Sequence, residues 1–212
     1  MSAKIINAEK DLSEKQLLIV TDTLRDGGVI IYPTETVYGF GCDAFNAESV
    51  QRIRKIKGRD NSPFLILIPD FSWIRKISDR ITESAEILSR NLWPGPLTLI
   101  VDAKPVFPEV LTGRSLGIGI RVSSSEISNQ IVRKFGCPIV STSANMTGKK
   151  PALSGADAAV LFRDQTDLII DTGKSSKNLP STVVDTRQYP PVIIREGAVP
   201  SEKIFGILSG KE

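Results

Sequence analysis

The sequence predicts an α/β fold, in which helices pack on a mixed β-sheet within one domain. Helical and strand-like hydrophobic periods alternate along the 212 residues, and 41% of the residues are hydrophobic, which suffices for a substantial core. No repeat, low-complexity tract or convincing linker divides the chain. We therefore expect a single domain over residues 1–212.

The predicted helices have recognisable starts and stops. The first begins at the capping box Ser13-Glu-Lys-Gln16 and ends before Gly27-Gly28. Asn46 is a suitable N-cap for the second, which carries a basic cluster on its outer face. The remaining helices are expected over 82–93, from Ile127 to Gly136 and from Ser201 onwards.

Short runs of apolar and β-branched residues between these helices are typical of strands. The run Phe64–Ile68 is continuously apolar, as in a strand covered on both faces. Leu116–Val122 alternates instead, with Arg121 on the same face as two glycines. The other predicted strands are 29–32, 97–101, 139–142, 168–170, 182–184 and 192–194.

The composition excludes several kinds of chemistry. The chain has no histidine, so Ser-His and Cys-His catalysis are ruled out. Two cysteines, Cys42 and Cys137, cannot build a disulfide framework, and we expect no protein-held metal site. Neither a Walker A sequence nor a G-x-G-x-x-G motif after the first strand is present, so any bound ATP must be held in another way.

The sequence carries no membrane signal. It lacks an apolar run of roughly eighteen residues, and residues 1–11 lack the apolar centre of a signal peptide. We expect a cytoplasmic protein without a membrane partner.

Two polar segments follow predicted strands, where ligand sites are common. Tyr32–Gly41 combines hydroxyls, one carboxylate and glycines. Ser141–Asn145 offers a hydroxyl and an amide, from Ser143 and Asn145, on one side. An ordinary turn or helix cap explains either segment taken alone.

A third segment, Lys57-Gly58-Arg59, is the end of a run of cations. If the segment is extended, Lys57 and Arg59 converge on one point, and a phosphate between them would relieve their repulsion. Taken alone, the run is better explained as a solvated helix face.

Together these segments resemble the YrdC family in order and spacing, from about Gly27 to Gly197. The matching motifs are Pro33-Thr-Glu-Thr-Val-Tyr-Gly39, Lys57-x-Arg59, Trp93-Pro-Gly-Pro-Leu-Thr98, Ser143-Ala-Asn145, Ser181-Thr-Val-Val-Asp185 and Arg195-Glu-Gly197. The resemblance implies a twisted α/β domain with a concave, basic cavity. It implies a nucleotidyltransferase that makes threonylcarbamoyl-AMP and pyrophosphate from L-threonine, bicarbonate or CO2 and ATP, for threonylcarbamoyladenosine formation in tRNA. Mg²⁺ would arrive with ATP, and a tRNA threonylcarbamoyl-transferase complex would be a partner.

The resemblance also assigns residues to two substrates. The catalytic set that lines the nucleotide and phosphate site would be Lys57, Arg59, Ser143 and Asn145, with Arg195 also near the ATP. The threonine would be bound by Thr36, Arg121, Ser141 and Ser181, with Arg121 on its carboxylate.

Two departures from the family pattern concern the amino-acid pocket. Leu67 stands near the place of a frequent histidine, so one threonine contact is expected to be missing or replaced. Gly117 stands where a threonine is frequent.

Three other interpretations remain open. One is a double-stranded RNA or tRNA-binding relative without synthase activity, although 8 Phe, 3 Tyr and 2 Trp provide few stacking platforms and no RNA-binding motif is recognisable. A second is a carbamoyl-adenylate enzyme like the related domain of hydrogenase-maturation carbamoyltransferases, which carry zinc-finger cysteines and further domains. A third is an inactive paralogue, given the altered segment near Leu67.

Overall fold

Ten β-strands form one sheet in the computed structural model, which describes residues 2–58, 63–113, 116–175 and 179–210. The strands are β1 (Lys4–Asn7), β2 (Ile30–Tyr32), β3 (Gly39–Gly41), β4 (Leu65–Leu67), β5 (Leu97–Asp102), β6 (Gly117–Arg121), β7 (Ile139–Ser143), β8 (Leu168–Asp171), β9 (Thr182–Asp185) and β10 (Val192–Arg195). Their order across the sheet is β1-β8-β2-β3-β7-β4-β6-β5-β9-β10. Parallel pairs such as β4/β6 and β5/β9 alternate with antiparallel pairs such as β4/β7 and β5/β6, so the predicted mixed sheet is confirmed.

The helices lie between the strands along the chain. They are α1 (Glu14–Arg25), α2 (Ala47–Lys57), α3 (Ile74–Ile77), α4 (Glu83–Leu92), α5 (Glu109–Thr112), α6 (Glu126–Phe135), α7 (Gly155–Phe162) and α8 (Ser201–Leu208). The predicted caps are confirmed: Ser13 forms the capping box of α1, Asn46 accepts a hydrogen bond from Ser49 N, and Gly136 ends α6 in the left-handed conformation. None of the helices in the described residues is long and apolar enough to span a membrane.

Helices α1 and α6 cover one face of the sheet. Leu17 and Val20 of α1 and Ile131 of α6 form a buried cluster with side chains from β2, β4, β7 and β8, among them Leu67. The larger cluster on the other side includes α2, α4, α7 and α8. Leu67 therefore belongs to the core.

The face under α1 and α6 continues into a region lined by small and charged residues. Leu67 pairs with Arg121 across the β4/β6 ladder, and residues paired in this way point to the same face. Gly119 and Gly117 alternate with Arg121 along β6 and share that face. Bulky core side chains such as Leu67 lie under the helices, whereas Gly117 and Gly119 on the same face have no side chains. The sheet therefore leaves a hollow beside the helices.

Candidate active site

The hollow is a cavity of about 820 Å³. Every predicted site residue within the described ranges lines it: Thr36, Lys57, Arg121, Ser141, Ser143, Asn145, Ser181 and Arg195. Arg59 lies outside the described residues, so its placement stays a prediction. The charged lining from the described part of the chain comprises Lys57, Arg121, Arg187 and Arg195 against Asp185.

Lys57 joins α2 to the end of β7. It is the last residue of α2, and Gly58 follows as a left-handed C-cap with φ of 57°, so the expected extended Lys57-Gly58-Arg59 segment is wrong at its start. The helix instead directs the Lys57 ammonium to the main-chain oxygens of Ser143 (2.5 Å) and Asn145 (2.9 Å) and to Asn145 Oδ1 (3.0 Å). Lys57 is only 4% exposed, so these contacts anchor it at the cavity wall.

Ser143 and Asn145 are linked to each other as well as to Lys57. The Ser143 hydroxyl donates to Asn145 Oδ1 (2.5 Å), and the Asn145 amide donates to the main-chain oxygens of Met146 (3.0 Å) and Lys149 (2.7 Å). The Asn145 side chain thus braces the turn after β7. This arrangement holds a lysine, a hydroxyl and an amide together at one wall of the cavity.

Arg121 lies at another part of the cavity, in a buried ion pair. Its Nη1 is 3.4 Å from Glu35 Oε1, with side-chain exposures of 3% and 7%. The Ser123 hydroxyl donates a short hydrogen bond to Glu35 Oε2. Sequence reasoning noticed this carboxylate in the first motif but did not pair it with Arg121.

Two atoms of this pair and one beside it are buried and have no hydrogen-bond partner among the described residues. They are Glu35 Oε1, Arg121 Nε and Tyr32 Oη. Burial raises the pKa of the Tyr32 hydroxyl, while Ser141 and the Arg121 charge act in the opposite direction. Because unsatisfied buried polar atoms are costly, this cluster is suited to a polar ligand or water.

Arg195 on β10 and Ser181, which directly precedes β9, form a hydrogen-bond network. The Arg195 guanidinium donates to Ser181 O from Nε (3.2 Å) and Nη2 (2.9 Å), and to Ser181 Oγ from Nη2 (3.2 Å). Ser181 Oγ lies 2.9 Å from Thr98 Oγ1. Burial lowers the pKa of Arg195, and the positive charge of Arg121 lowers it further.

Thr36 lies in the loop between β2 and β3. Its hydroxyl is 2.9 Å from Thr34 Oγ1, and its main-chain oxygen accepts from Ser175 Oγ (3.0 Å). The buried Ser141 lies two residues before Ser143 on β7 and lines the cavity from the same face. Thr36 thus contributes a hydroxyl group to the cavity from the loop before β3, and Ser141 contributes one from β7.

Several lining residues were missed by sequence reasoning. Thr98 is the last residue of the Trp93–Thr98 motif, and its place in that motif could have identified it as a cavity residue. Asp185 ends another quoted motif and pairs with Arg187, which no motif contains (Nη2 to Oδ2, 2.7 Å). The described residues contain no group of three or more histidine, cysteine, aspartate or glutamate side chains suited to a metal ion.

The chain matches a known protein family over most of its length. The Sua5/YciO/YrdC family, described as "Telomere recombination", matches residues 22–197. A Pyrococcus abyssi protein named threonylcarbamoyl-AMP synthase is 36% identical over 205 residues, which is 96% of this chain and 60% of the relative. A Thiobacillus denitrificans protein of the same name is 35% identical over 163 residues, covering 76% of this chain and 86% of the relative. A Bacillus subtilis protein, also so named, is 31% identical, and the chain covers only 59% of it.

Solved structures show the same fold. P. abyssi Sua5 complexed with L-threonine superposes with a TM-score of 0.93 at 35% identity, over 97% of this chain and 61% of that one. Escherichia coli YciO gives a TM-score of 0.86 at 26% identity, over 95% and 99% of the two chains. The present chain thus spans about the length of YciO and roughly three-fifths of the P. abyssi protein.

Proposed function

Because the chain belongs to the Sua5/YciO/YrdC family, we propose that it synthesises threonylcarbamoyl-AMP from L-threonine, bicarbonate or CO2 and ATP, with release of pyrophosphate. One observation carries the proposal: residues from separate motifs line a single cavity, between Thr36 after β2 and Arg195 on β10. Three relatives, between 31% and 36% identical to this chain, bear the name of this activity.

The amino-acid end of the site is built around Arg121. A guanidinium buried beside a carboxylate keeps a fixed orientation and is a suitable fork for the threonine carboxylate. Thr36, Ser141 and Ser181 provide hydroxyls for the remaining polar groups of the amino acid. This assignment is supported by the threonine complex of the P. abyssi relative.

The phosphate end is built around Ser143 and Asn145, which Lys57 holds in place. The Lys57 ammonium adds positive charge, and we place Arg59 there by its motif. Arg195 is assigned to the ATP from the other side. We propose that Mg²⁺ enters with the ATP phosphates, since it prefers oxygen ligands and substrate phosphates.

The reaction then requires mainly orientation and charge stabilisation. The threonine amine adds to CO2 with loss of a proton, or condenses with bicarbonate with loss of water, to give a carbamate. A carbamate oxygen then forms a bond to the α-phosphorus while the bond from that phosphorus to pyrophosphate breaks. Positively charged groups and hydroxyls stabilise the charge that develops on the phosphate oxygens. No histidine base is needed for this step. We further propose that a tRNA threonylcarbamoyl-transferase complex consumes the product.

The test is direct detection of the product. The purified chain, incubated with ATP, L-threonine and ¹³C-labelled bicarbonate, should yield threonylcarbamoyl-AMP that carries the label by mass spectrometry, with pyrophosphate in equal amount. Omission of threonine or of bicarbonate should abolish both. Release of ADP and phosphate, or binding of RNA without any adenylate product, would refute the proposal.

A further inference from the structure

Arg187 gives the cavity a guanidinium that belongs to none of the recognised motifs. It follows β9, lines the cavity together with Asp185, and has a side-chain exposure of 28% against 14% for Asp185. Its position makes it a candidate ligand-binding residue.

Asp185 fixes the orientation of this guanidinium. Arg187 Nε donates to Asp185 Oδ1 (3.0 Å) and Nη2 to Oδ2 (2.7 Å), while the main-chain nitrogen of Arg187 donates to Oδ1 (3.1 Å). The hydrogen bond from Arg187 lowers the pKa of Asp185, so the pair stays ionised at neutral pH. A two-point contact of this kind defines the plane of the arginine head group.

Gly117 leaves the space that the guanidinium occupies. A Cβ added at Gly117 would lie 2.6 Å from Arg187 Nη1 and 3.0 Å from Cζ. Gly117 is not among the glycines with positive φ, so its backbone conformation does not demand glycine. A side chain at position 117 would therefore displace the Arg187 guanidinium from this position.

The strand register places Arg187 at the phosphate end of the cavity. Leu65 pairs with Ser141 on one side and with Gly119 on the other. Since β7 is antiparallel and β6 parallel to β4, Ser143 and Gly117 fall on the same transverse row, about 10 Å apart across two strand spacings. Arg121 lies four residues further along β6, about 13 Å away, which is beyond the reach of one amino acid held there by its carboxylate.

We propose that Arg187 binds the β- or γ-phosphate of the nucleotide from the side of the cavity opposite Ser143, and that Gly117 and Asp185 hold it there. This inference rests on the proposed ATP-dependent function and adds a residue to its nucleotide site. The contact is a charge-assisted hydrogen bond from a guanidinium to phosphate oxygen.

The test uses Arg187→Gln, Gly117→Ala and the double variant. Glutamine still donates to Asp185, and Gly117→Ala displaces the guanidinium without removing it. Each single change should raise the KM for ATP, and the dissociation constant of pyrophosphate by calorimetry, about tenfold or more. The KM for threonine should stay within about twofold, and the double variant should be no worse than Arg187→Gln, because both changes act on one contact. Arg25→Gln, which alters an exposed pair with Asp22, is the matched control.

The outcomes separate this inference from the proposed function. An unchanged KM for ATP in Arg187→Gln overturns it, as does a weaker ATP interaction with unchanged pyrophosphate binding, which would place the contact on the α-phosphate or the nucleoside. If the native chain forms no threonylcarbamoyl-AMP while Arg187→Gln still weakens pyrophosphate binding, the phosphate contact stands and the proposed function fails.

Discussion

Lys57 and Arg121 are both buried cations of the same cavity, yet the protein holds them in different ways. Lys57 donates to three neutral oxygens of Ser143 and Asn145. Arg121 faces the carboxylate of Glu35, and its Nε has no hydrogen-bond partner among the described residues.

The difference indicates which of the two cations positions its neighbours and which is positioned by them. Lys57 positions its neighbours, because its ammonium connects the end of α2 to the turn that carries Asn145. Arg121 is itself positioned, because Glu35 and Ser123 fix one side of the guanidinium while another donor remains for a ligand. We therefore expect loss of Lys57 to disorder the phosphate end, and loss of Glu35 to affect the amino-acid end.

The largest effect is expected for Arg121→Ala. Removal of one partner from a buried ion pair leaves Glu35 as an uncompensated charge, which costs about 3–5 kcal/mol of unfolding free energy. Urea denaturation at neutral pH measures it. The double variant Arg121→Met/Glu35→Leu removes both charges and should recover most of the stability, although not threonine binding. If the double variant is as unstable as Arg121→Ala, the pair is not the cause.

Lys57→Met should have the next largest effect. It removes three hydrogen bonds and leaves the oxygens of Ser143 and Asn145 poorly satisfied, which lowers the unfolding free energy by about 1–3 kcal/mol. Turnover should fall at least about 10²-fold, the size expected for a lost charge-stabilising group. Pyrophosphate release and urea denaturation measure the two effects. If Lys57→Met lowered turnover with no change in stability, Lys57 would be a phosphate contact rather than a positioning residue.

The fold was predictable where local chemistry signals it. The Ser13 capping box and the Gly136 cap marked their helices. Strand β3 was missed, because its Gly39-Phe40-Gly41 sequence has little β-propensity. It pairs with β2 and β7, and Gly41 leaves room for the Tyr32 ring, since a Cβ added at Gly41 would lie 2.7 Å from Tyr32 Cε1. That contact is visible only in three dimensions.

The site was predictable as a set of motif residues, but not as a set of contacts. The motifs named Lys57 and Arg121, whereas their partners lie on distant segments of the chain. Periodicity carries no information about such pairs, because each depends on strand order and register. Arg187 was missed for the same reason. Its guanidinium packs against Gly117, which belongs to a strand that is distant in sequence.

Glu35→Gln tests whether Arg121 is positioned by its carboxylate. The amide keeps the size and one acceptor for the guanidinium but leaves the buried Arg121 charge uncompensated, so the unfolding free energy should fall by about 1–3 kcal/mol, less than in Arg121→Ala. The KM for threonine should rise several-fold while the KM for ATP stays within about twofold, because only the amino-acid end loses its fixed guanidinium. Steady-state pyrophosphate release at varied threonine measures this. Equal changes in the KM for threonine and the KM for ATP would show that Glu35 supports the whole cavity. The control is Glu126→Gln, on the exposed first turn of α6.

The smallest effect is expected at Arg187. Its ion pair with Asp185 is more exposed than the ion pair between Arg121 and Glu35. Hydrogen bonding from Arg187 lowers the pKa of Asp185 in the folded state. The pair therefore contributes stability that is fully present above the unfolded pKa, about 4, and is lost as the pH falls through the lower folded value. Asp185→Asn should be less stable than the native chain at neutral pH by at most about 1 kcal/mol, and the difference should shrink below about pH 4. Urea denaturation across this range measures it, with Asp22→Asn as the exposed control. A difference that is independent of pH would mean that Asp185 acts through packing. The contrast between a buried and a partly exposed ion pair would then not depend on charge.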